Sequence, residues 1–302
     1  MRVPRIAVLG SANMDLVVTV ARAPGRGETV SGRSFRAIPG GKGANQALAA
    51  RRAGASVSFV GAVGNDAYGA QLRALLSGEG IDVSELVTAT EPTGTAHLVI
   101  DDAGENSIVV VAGANATVRS LNAGSRRRIA DADVLLLQLE LPLDTVAEAA
   151  GFARANGVRT ILTPAPAREL PRQLYADVDL LVPNQHEAAT LSGTGDPDQA
   201  GRALLQRGCD VLITLGERGC RYFAADAEPV GVPAFAVRAV DTTAAGDSFV
   251  GAFAVATAEA DDLHRALRRA AAAAALTVGR VGASAAIPHH REIEQFLNNH
   301  PE

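Results

Sequence analysis

In Val240-Asp241-Thr242-Thr243-Ala244-Ala245-Gly246-Asp247-Ser248-Phe249, two acids bracket two threonines and a run of very small side chains. Ser248 to Ala258 is mostly apolar and helix-compatible, which places Asp247 at a helix start. A helix start leaves backbone N–H groups unpaired, and the helix dipole adds partial positive charge there. Ala244, Ala245 and Gly246 present almost no side chain, so a phosphate can approach those N–H groups closely. Asp247 would stand beside it, placed to accept a proton from an attacking hydroxyl. Phosphoryl transfer asks mainly for position and charge stabilisation, so a weak base suffices. An ordinary helix N-terminus capped by Asp and Thr has the same composition. This stretch alone leaves both readings open.

Other polar clusters fall beside short apolar runs. Gly10-Ser11-Ala12-Asn13-Met14-Asp15 follows the strand Arg5–Leu9. The carboxyl ends of such strands are where open α/β sheets bind ligands. Pro39-Gly40-Gly41-Lys42-Gly43-Ala44-Asn45-Gln46 opens an alanine-rich helix, and its Lys42 and Asn45 offer donors within one turn. It is not a Walker A loop, because the G-x-x-x-x-G-K-[ST] spacing fails and neither Ser nor Thr follows Lys42. A Gly-rich helix entry is the plainer alternative. Gln138-Leu139-Glu140 leaves a carboxylate where a strand ends. Asn184 and Glu187 share one face of a helical first turn. That spacing suits either Mg²⁺ waters and phosphate or an Asn-x-x-Glu cap. Thr214-Leu215-Gly216-Glu217-Arg218-Gly219 is a strand end with a glycine turn, fit for a nucleotide. His289-His290 has no carboxylate cluster beside it and reads as surface.

The elements that must hold these groups alternate. Strands are expected at Val57–Ala62, Val134–Leu139, Arg159–Leu162, Val178–Val182, Val211–Thr214 and Cys220–Ala224. Helices are expected near Tyr68–Leu76, over Thr145–Ala155, from Gln185, and over Ala200–Arg207 and Asp262–Thr277. Such βα alternation argues for a mostly parallel sheet with helices on both faces. Leu16–Val20, Thr29–Ile38, Thr95–Ile100 and Ser107–Val111 stand outside the alternation, with a turn at 101–106 joining the last two. Together they predict a small second sheet acting as a lid. No repeat or low-complexity linker divides the chain. The reading is one α/β domain over 1–302, with lid strands inserted at about 14–38 and 95–111.

Composition excludes several classes. A formal charge of -5 and a pI near 5.7 argue against a nucleic-acid surface. Arg126-Arg127-Arg128 reads as the solvated face of a helix. No apolar run approaches the ~20 residues of a membrane span, and the stretch before Gly10 is too short for a signal peptide. Cys209 and Cys220 lack metal-ligand spacing, which predicts buried thiols in a reducing cytoplasm.

Gly40-Gly41-Lys42-Gly43-Ala44-Asn45, Asn184-x-x-Glu187, Thr214-Leu215-Gly216 and Asp241-Thr242-Thr243-Ala244-Ala245-Gly246-Asp247 occur in the order seen in the ribokinase-like (PfkB) family of sugar kinases, and the chain resembles that family over nearly its whole length. Gly10 to Asp15, Ala112-Gly113-Ala114-Asn115, Gln138 to Glu140 and Thr163 to Pro171 extend the likeness. The resemblance implies a three-layer α/β sandwich with a β-sheet lid. It also implies ATP-dependent phosphorylation of D-ribose at its 5-hydroxyl. Asp247 would be the catalytic base, with the N–H groups of Ala245, Gly246 and Asp247 as the anion hole. Asn13, Asp15, Gly41, Lys42, Asn45 and Glu140 would hold the sugar. Asn184, Thr214, Gly216, Gly219 and Gly246 would face the nucleotide, and Glu187 would help place Mg²⁺ indirectly. A K⁺ ion would sit beside the anion hole, held by Asp241 with carbonyls of Thr243, Thr277, Arg280 and Gly282. A cytoplasmic homodimer joined through lid strands is implied in the same way.

Three positions depart from the family pattern. Ala244 stands for a glycine, Ala271 for a polar residue near the nucleotide, and Ala286 for a serine near the cation. Residues 11–34 and 95–111 of the expected lid carry no aromatic on which a nucleoside base would stack, and this favours a small polyol acceptor. Deoxyribose, a ketose or a nucleoside remain alternative acceptors, and a non-catalytic sugar-binding regulator is the alternative class. A nicotinamide enzyme is excluded because no G-x-G-x-x-G follows the first strand.

Overall fold

The computed structural model describes residues 2–103, 106–260 and 262–301. In chain order the first half runs β1 (Arg5–Leu9), β2 (Asn13–Val20), β3 (Gly32–Gly40), α1 (Lys42–Arg52), β4 (Ser56–Gly64), α2 (Ala67–Gly78), β5 (Asp82–Ala89), β6 (Gly94–Ile100), β7 (Asn106–Val111), α3 (Ala123–Ala130), β8 (Val134–Gln138) and α4 (Leu143–Ala155). The second half runs β9 (Arg159–Thr163), α5 (Arg172–Asp177), β10 (Leu180–Leu181), α6 (Gln185–Ser192), α7 (Pro197–Leu205), β11 (Asp210–Thr214), β12 (Cys220–Phe223), β13 (Val230–Val232), α8 (Ala245–Ala258), α9 (Leu263–Val278) and α10 (His290–Asn298).

The large sheet is nine-stranded, in the order β13-β12-β11-β10-β9-β8-β1-β4-β5. Its strands run parallel except β12, which pairs antiparallel with both β11 and the edge strand β13. Successive side chains of a strand point to opposite faces, so a strand covered on both sides must be apolar at every position. That is why β1 and β8 read as unbroken apolar runs. Ile6 and Val8 enter the core under α1, α2, α8 and α9, while Ala7 and Leu9 enter the core under α3 to α7. The expected three-layer arrangement is the observed one.

The α8 helix is apolar all round and buried from Asp247 to Ala256. A helix without a polar face is stable only inside the protein, and α8 lies between α1 and α9, whose alanines permit the close approach.

The four expected lid strands form the second sheet, in the order β3-β2-β6-β7. β2 starts at Asn13, earlier than its apolar pattern indicates, because Asn13 pairs with Gly40 and Gly94. Gly104 and Glu105 of the expected turn lie outside the described residues. On this sheet Phe35, Ile108, Val109, Val110 and Val111 are all more than half exposed.

Four elements were not expected from pattern: β5, β13, α5 and α10. β10 is only two residues long; Val182 N still donates to Leu162 O at 2.8 Å, and Pro183, which has no N–H to donate, then follows. The arginine run is less solvated than expected. Arg126 pairs with Glu148 and sits over the Phe152 ring at 5.0 Å, and Arg128 pairs with Asp82 at 2.9 Å. No helix among the described residues is long and apolar enough to cross a membrane.

Candidate active site

The parallel strands all deliver their carboxyl ends to one rim. β1 ends at Gly10 and Ser11, β8 runs out to Glu140, β9 ends at Thr163, and β11 ends at Thr214, which bridges to Asn184. α1 and α8 start at this same rim. Asp66, Asn122, Asn184, Asp196 and Asp262 each cap a helix with a side chain, whereas α1 and α8 have no side-chain cap. In α1 the first N–H groups are taken by Glu140, Ser11 Oγ and Ser11 O, so it is the first turn of α8 that is left for a ligand. Ala245 N–H points back to Thr242 O at 3.3 Å. The anion-binding part of the turn thus rests most heavily on Gly246 and Asp247.

Two glycines are needed for different reasons. Gly41, at the N-cap of α1, has φ 91°, and a Cβ there would lie 2.7 Å from Asn13 N. The fold itself demands that glycine. Gly246 has ordinary helical backbone, and a Cβ there would meet nothing within 4 Å. The space it leaves lies in the cavity, so the demand at Gly246 comes from whatever occupies that cavity. Ala244 occupies the left-handed region at φ 62°, the conformation a glycine would adopt without strain.

Asp247 is buried, and both its oxygens accept amide donors, from Asn45 Nδ2 at 3.2 Å and Gln46 Nε2 at 3.0 Å. Gln46 is aimed in turn by Gln138, whose Nε2 donates to its Oε1 at 2.6 Å, and it also reaches Thr163 Oγ1 at 3.1 Å. Burial pushes the Asp247 carboxyl up to about 6, against the pull of Lys42 and the two amides. Asp15 is pushed up to about 7 by burial and by the neighbouring Glu140 and Asp247. Burial opposes the charge on Lys42, yet Asp247, Glu140, Glu187 and Asp15 together hold its pKa above the ordinary lysine value. One half-buried ammonium thus serves a ring of carboxylates.

Glu140 accepts from Ser11 Oγ and from Lys42 N–H, the latter at 3.2 Å. Asn13 Oδ1 accepts from Asn115 Nδ2 at 2.7 Å, which locks the start of β2 to the segment after β7. Asn45 Oδ1 is buried without a protein partner. A buried acceptor left unpaired costs about 1–3 kcal/mol, so this oxygen calls for a ligand hydroxyl. Asn13, Asp15, Gly41, Lys42, Asn45 and Glu140, expected to act together, do converge here. Ser11, Gln46, Asn115 and Thr163 complete the network. Pattern did not single them out, because each works by orienting another side chain.

Two cavities meet at the α8 turn. The smaller, about 200 Å³, is lined by Lys42, Thr163, Asn184, Glu187, Gly246 and Asp247 among others. The larger, about 540 Å³, holds Thr214, Gly216, Gly219, Phe235, Phe249 and Ala271. Thr214, Thr242 and Gly246 line both. Asn184 and Glu187 form a capping box, with Glu187 N donating to Asn184 Oδ1 at 2.9 Å and Asn184 N donating to Glu187 Oε2 at 2.8 Å. The capping reading and the cavity position hold at once, since burial in that cavity raises the Glu187 pKa.

Asp241 lies behind the turn. Its Oδ1 accepts from Thr243 N and Oγ1 at 2.9 and 2.6 Å, and its Oδ2 from Gly282 N at 3.0 Å. Burial opposes its charge, but these donors outweigh it and keep Asp241 below the usual carboxylate range. The same bonds draw 241–243 against the segment carrying Thr277, Arg280 and Gly282. Ala271 lines the larger cavity and Ala286 is fully buried. His289 and His290 are exposed at the start of α10. Among the described residues no three His, Cys, Asp or Glu side chains gather as a metal cluster.

A sequence profile described as pfkB family carbohydrate kinase matches residues 3–290. The chain belongs to this family. It is 45% identical over 297 residues to a ribokinase of Bacillus subtilis, covering 97% of this chain and 99% of that one. It is also 35% identical over 306 residues to a deoxyribokinase of Salmonella typhi, covering 97% and 98%. A solved structure of Arabidopsis thaliana ribokinase complexed with ribose and ATP superposes with a TM-score of 0.91 at 33% identity, covering 98% of this chain and 99% of that one.

Proposed function

We propose that this protein transfers the γ-phosphoryl group of ATP to the 5-hydroxyl of D-ribose. The observation that carries the reading is the position of Asp247. Its carboxylate stands at the uncapped start of α8, where a cluster of hydroxyl-binding groups meets a nucleotide-sized cavity. Asn13, Asp15, Gly41, Lys42, Asn45 and Glu140 take the sugar, and Asn45 Oδ1 receives one of its hydroxyls. Thr214, Gly216 and Gly219 line the nucleotide cavity with Asn184 at its phosphate end. Asp247 accepts the proton of the attacking hydroxyl, while the N–H groups of Gly246 and Asp247, with Ala245, meet the charge on the migrating phosphoryl group.

Mg²⁺, when bound, neutralises phosphate charge. The cavity fits it, because Glu187 keeps one oxygen beyond its capping bond to accept from a metal-bound water. A K⁺ ion behind the turn is supported by the tethering of 241–243 to the segment of Thr277, Arg280 and Gly282. The chain works as one catalytic unit, with the small sheet as lid and its exposed valines paired against a second copy. Cys209 and Cys220 are buried free thiols, as a reducing cytoplasm would keep them.

The decisive measurement is ADP release across a sugar panel. Ribose is expected to outpace 2-deoxyribose, because a site built around hydroxyl-binding groups rejects an analogue lacking one. Equal rates would discard ribose as the preferred acceptor, and no sugar-dependent ADP release would discard the kinase reading.

A further inference from the structure

Phe235 lines the larger cavity, yet it belongs to residues 233–239, a stretch without helix or strand. A wall on irregular backbone is only as fixed as what packs behind it. Behind Phe235 stands the end of the chain. The Phe296 ring meets it edge-on, with centroids 5.1 Å apart and planes at 81°, and the His300 ring does the same at 5.6 Å and 74°. Phe296 and His300 stack on each other at 4.2 Å. The Arg268 guanidinium lies over Phe235 at 5.4 Å and donates from Nη2 to His300 O at 2.7 Å. His300 is tied again through Nδ1, 2.8 Å from Phe296 O.

We infer that this C-terminal stack is a positioning device for the nucleotide: His300 and Phe296, which touch no substrate, hold Phe235 as a flat wall against the base of the phosphoryl donor. The inference rests on the kinase reading above and deepens it. The neighbouring wall residues Ala234, Val237, Ala239, Ala271, Ala274 and Val278 are small or aliphatic. Phe249, the other ring lining this cavity, is 5% exposed and stacked on Phe253 in the core, whereas Phe235 is only half-buried. Phe235 is thus the ring best placed to meet a base face, and losing its orientation weakens donor binding while leaving the chemistry alone.

The test compares wild type with His300→Ala, Phe296→Ala and His300→Phe in steady-state kinetics, with calorimetric binding of ADP alongside. Removing one ring contact is expected to raise KM for ATP and weaken ADP binding by about 5-fold, in keeping with the worth of an aromatic pair. The kcat and the sugar KM stay unchanged. His300→Phe keeps a flat ring and the backbone acceptor for Arg268, so it restores wild-type KM. Unchanged KM for ATP in both alanine variants overturns the inference. So does a fall in kcat and thermal stability together with a rise in both KM values, which is what a purely structural stack would give. A wild-type protein that neither binds ADP nor turns over ATP would instead bring down the kinase reading, and the stack's role with it.

Discussion

Asp247 must be charged to accept a proton, while its burial favours the neutral form. With its pKa raised to about 6, the base is lost to protonation as pH falls, so kcat/KM should decline on the acid side with a midpoint near that value. Asp15, Glu140 and Asp247 share Lys42, so the measured midpoint belongs to the cluster. Stability moves the other way. A carboxyl whose folded pKa lies above its unfolded 3.8 binds its proton more tightly in the native state. Its favourable contribution is complete below 3.8 and disappears as pH rises through about 6. Asp247→Asn should therefore lower turnover by about 10²–10⁴-fold while flattening the stability profile in that window, as read by thermal melts across pH. Near-full turnover in the variant would remove Asp247 as the base. Ala244 is the second residue-scale test. Its left-handed backbone costs about 1–2 kcal/mol, against ~0.4–1 kcal/mol of unfolded-state entropy that glycine would add. Ala244→Gly should raise the melting temperature slightly, and a lower one would show that the strain is absorbed elsewhere.

At the scale of elements, α8 separates what the fold needs from what the ligand needs. Gly246 lies inside the first turn, where alanine is the better helix former by about 1 kcal/mol, and no neighbour would clash with the added methyl. Gly246→Ala should melt higher than wild type, yet lose at least about 10-fold in turnover by obstructing the amide face. Loss of stability would mean that the glycine serves packing. The same helix shows why so much of the site was legible in sequence. Asp247, Gly41 and Lys42 sit at element starts, and element starts are written locally in small residues and breakers. What was not legible depends on partners distant along the chain. β5 reads as polar because it is an edge strand paired only with β4. Gln46 looks like any helix residue until Gln138 and Thr163 meet it, and Phe235, Phe296 and His300 are joined only by the fold. Asn184-x-x-Glu187 supported two readings because a capping pair can also line a cavity.

The whole molecule raises the question of what covers the lid. Asn13 and Asp15, two of the residues proposed to hold the sugar, lie on β2 of the proposed lid, so anything that steadies the small sheet steadies the site. The sheet exposes Phe35 and, along its edge strand, Ile108 to Val111. Strand alternation and register put Val109 and Val111 on the face that Phe35 takes, and exposed apolar surface of this kind marks an interface. A second copy would bury it and fix the β3-β2-β6-β7 ladder in place over the strand ends. If so, the lid and the assembly are one equilibrium. Val109, 64% exposed at the middle of β7, is the position to charge. Val109→Asp should shift light-scattering mass from dimer to monomer at micromolar protein. It should also raise the sugar KM at low protein concentration, with recovery as concentration rises, because mass action restores the dimer. A monomeric wild type would show that the face is covered by something else, and an unchanged sugar KM in a monomeric variant would show that the lid holds its shape alone.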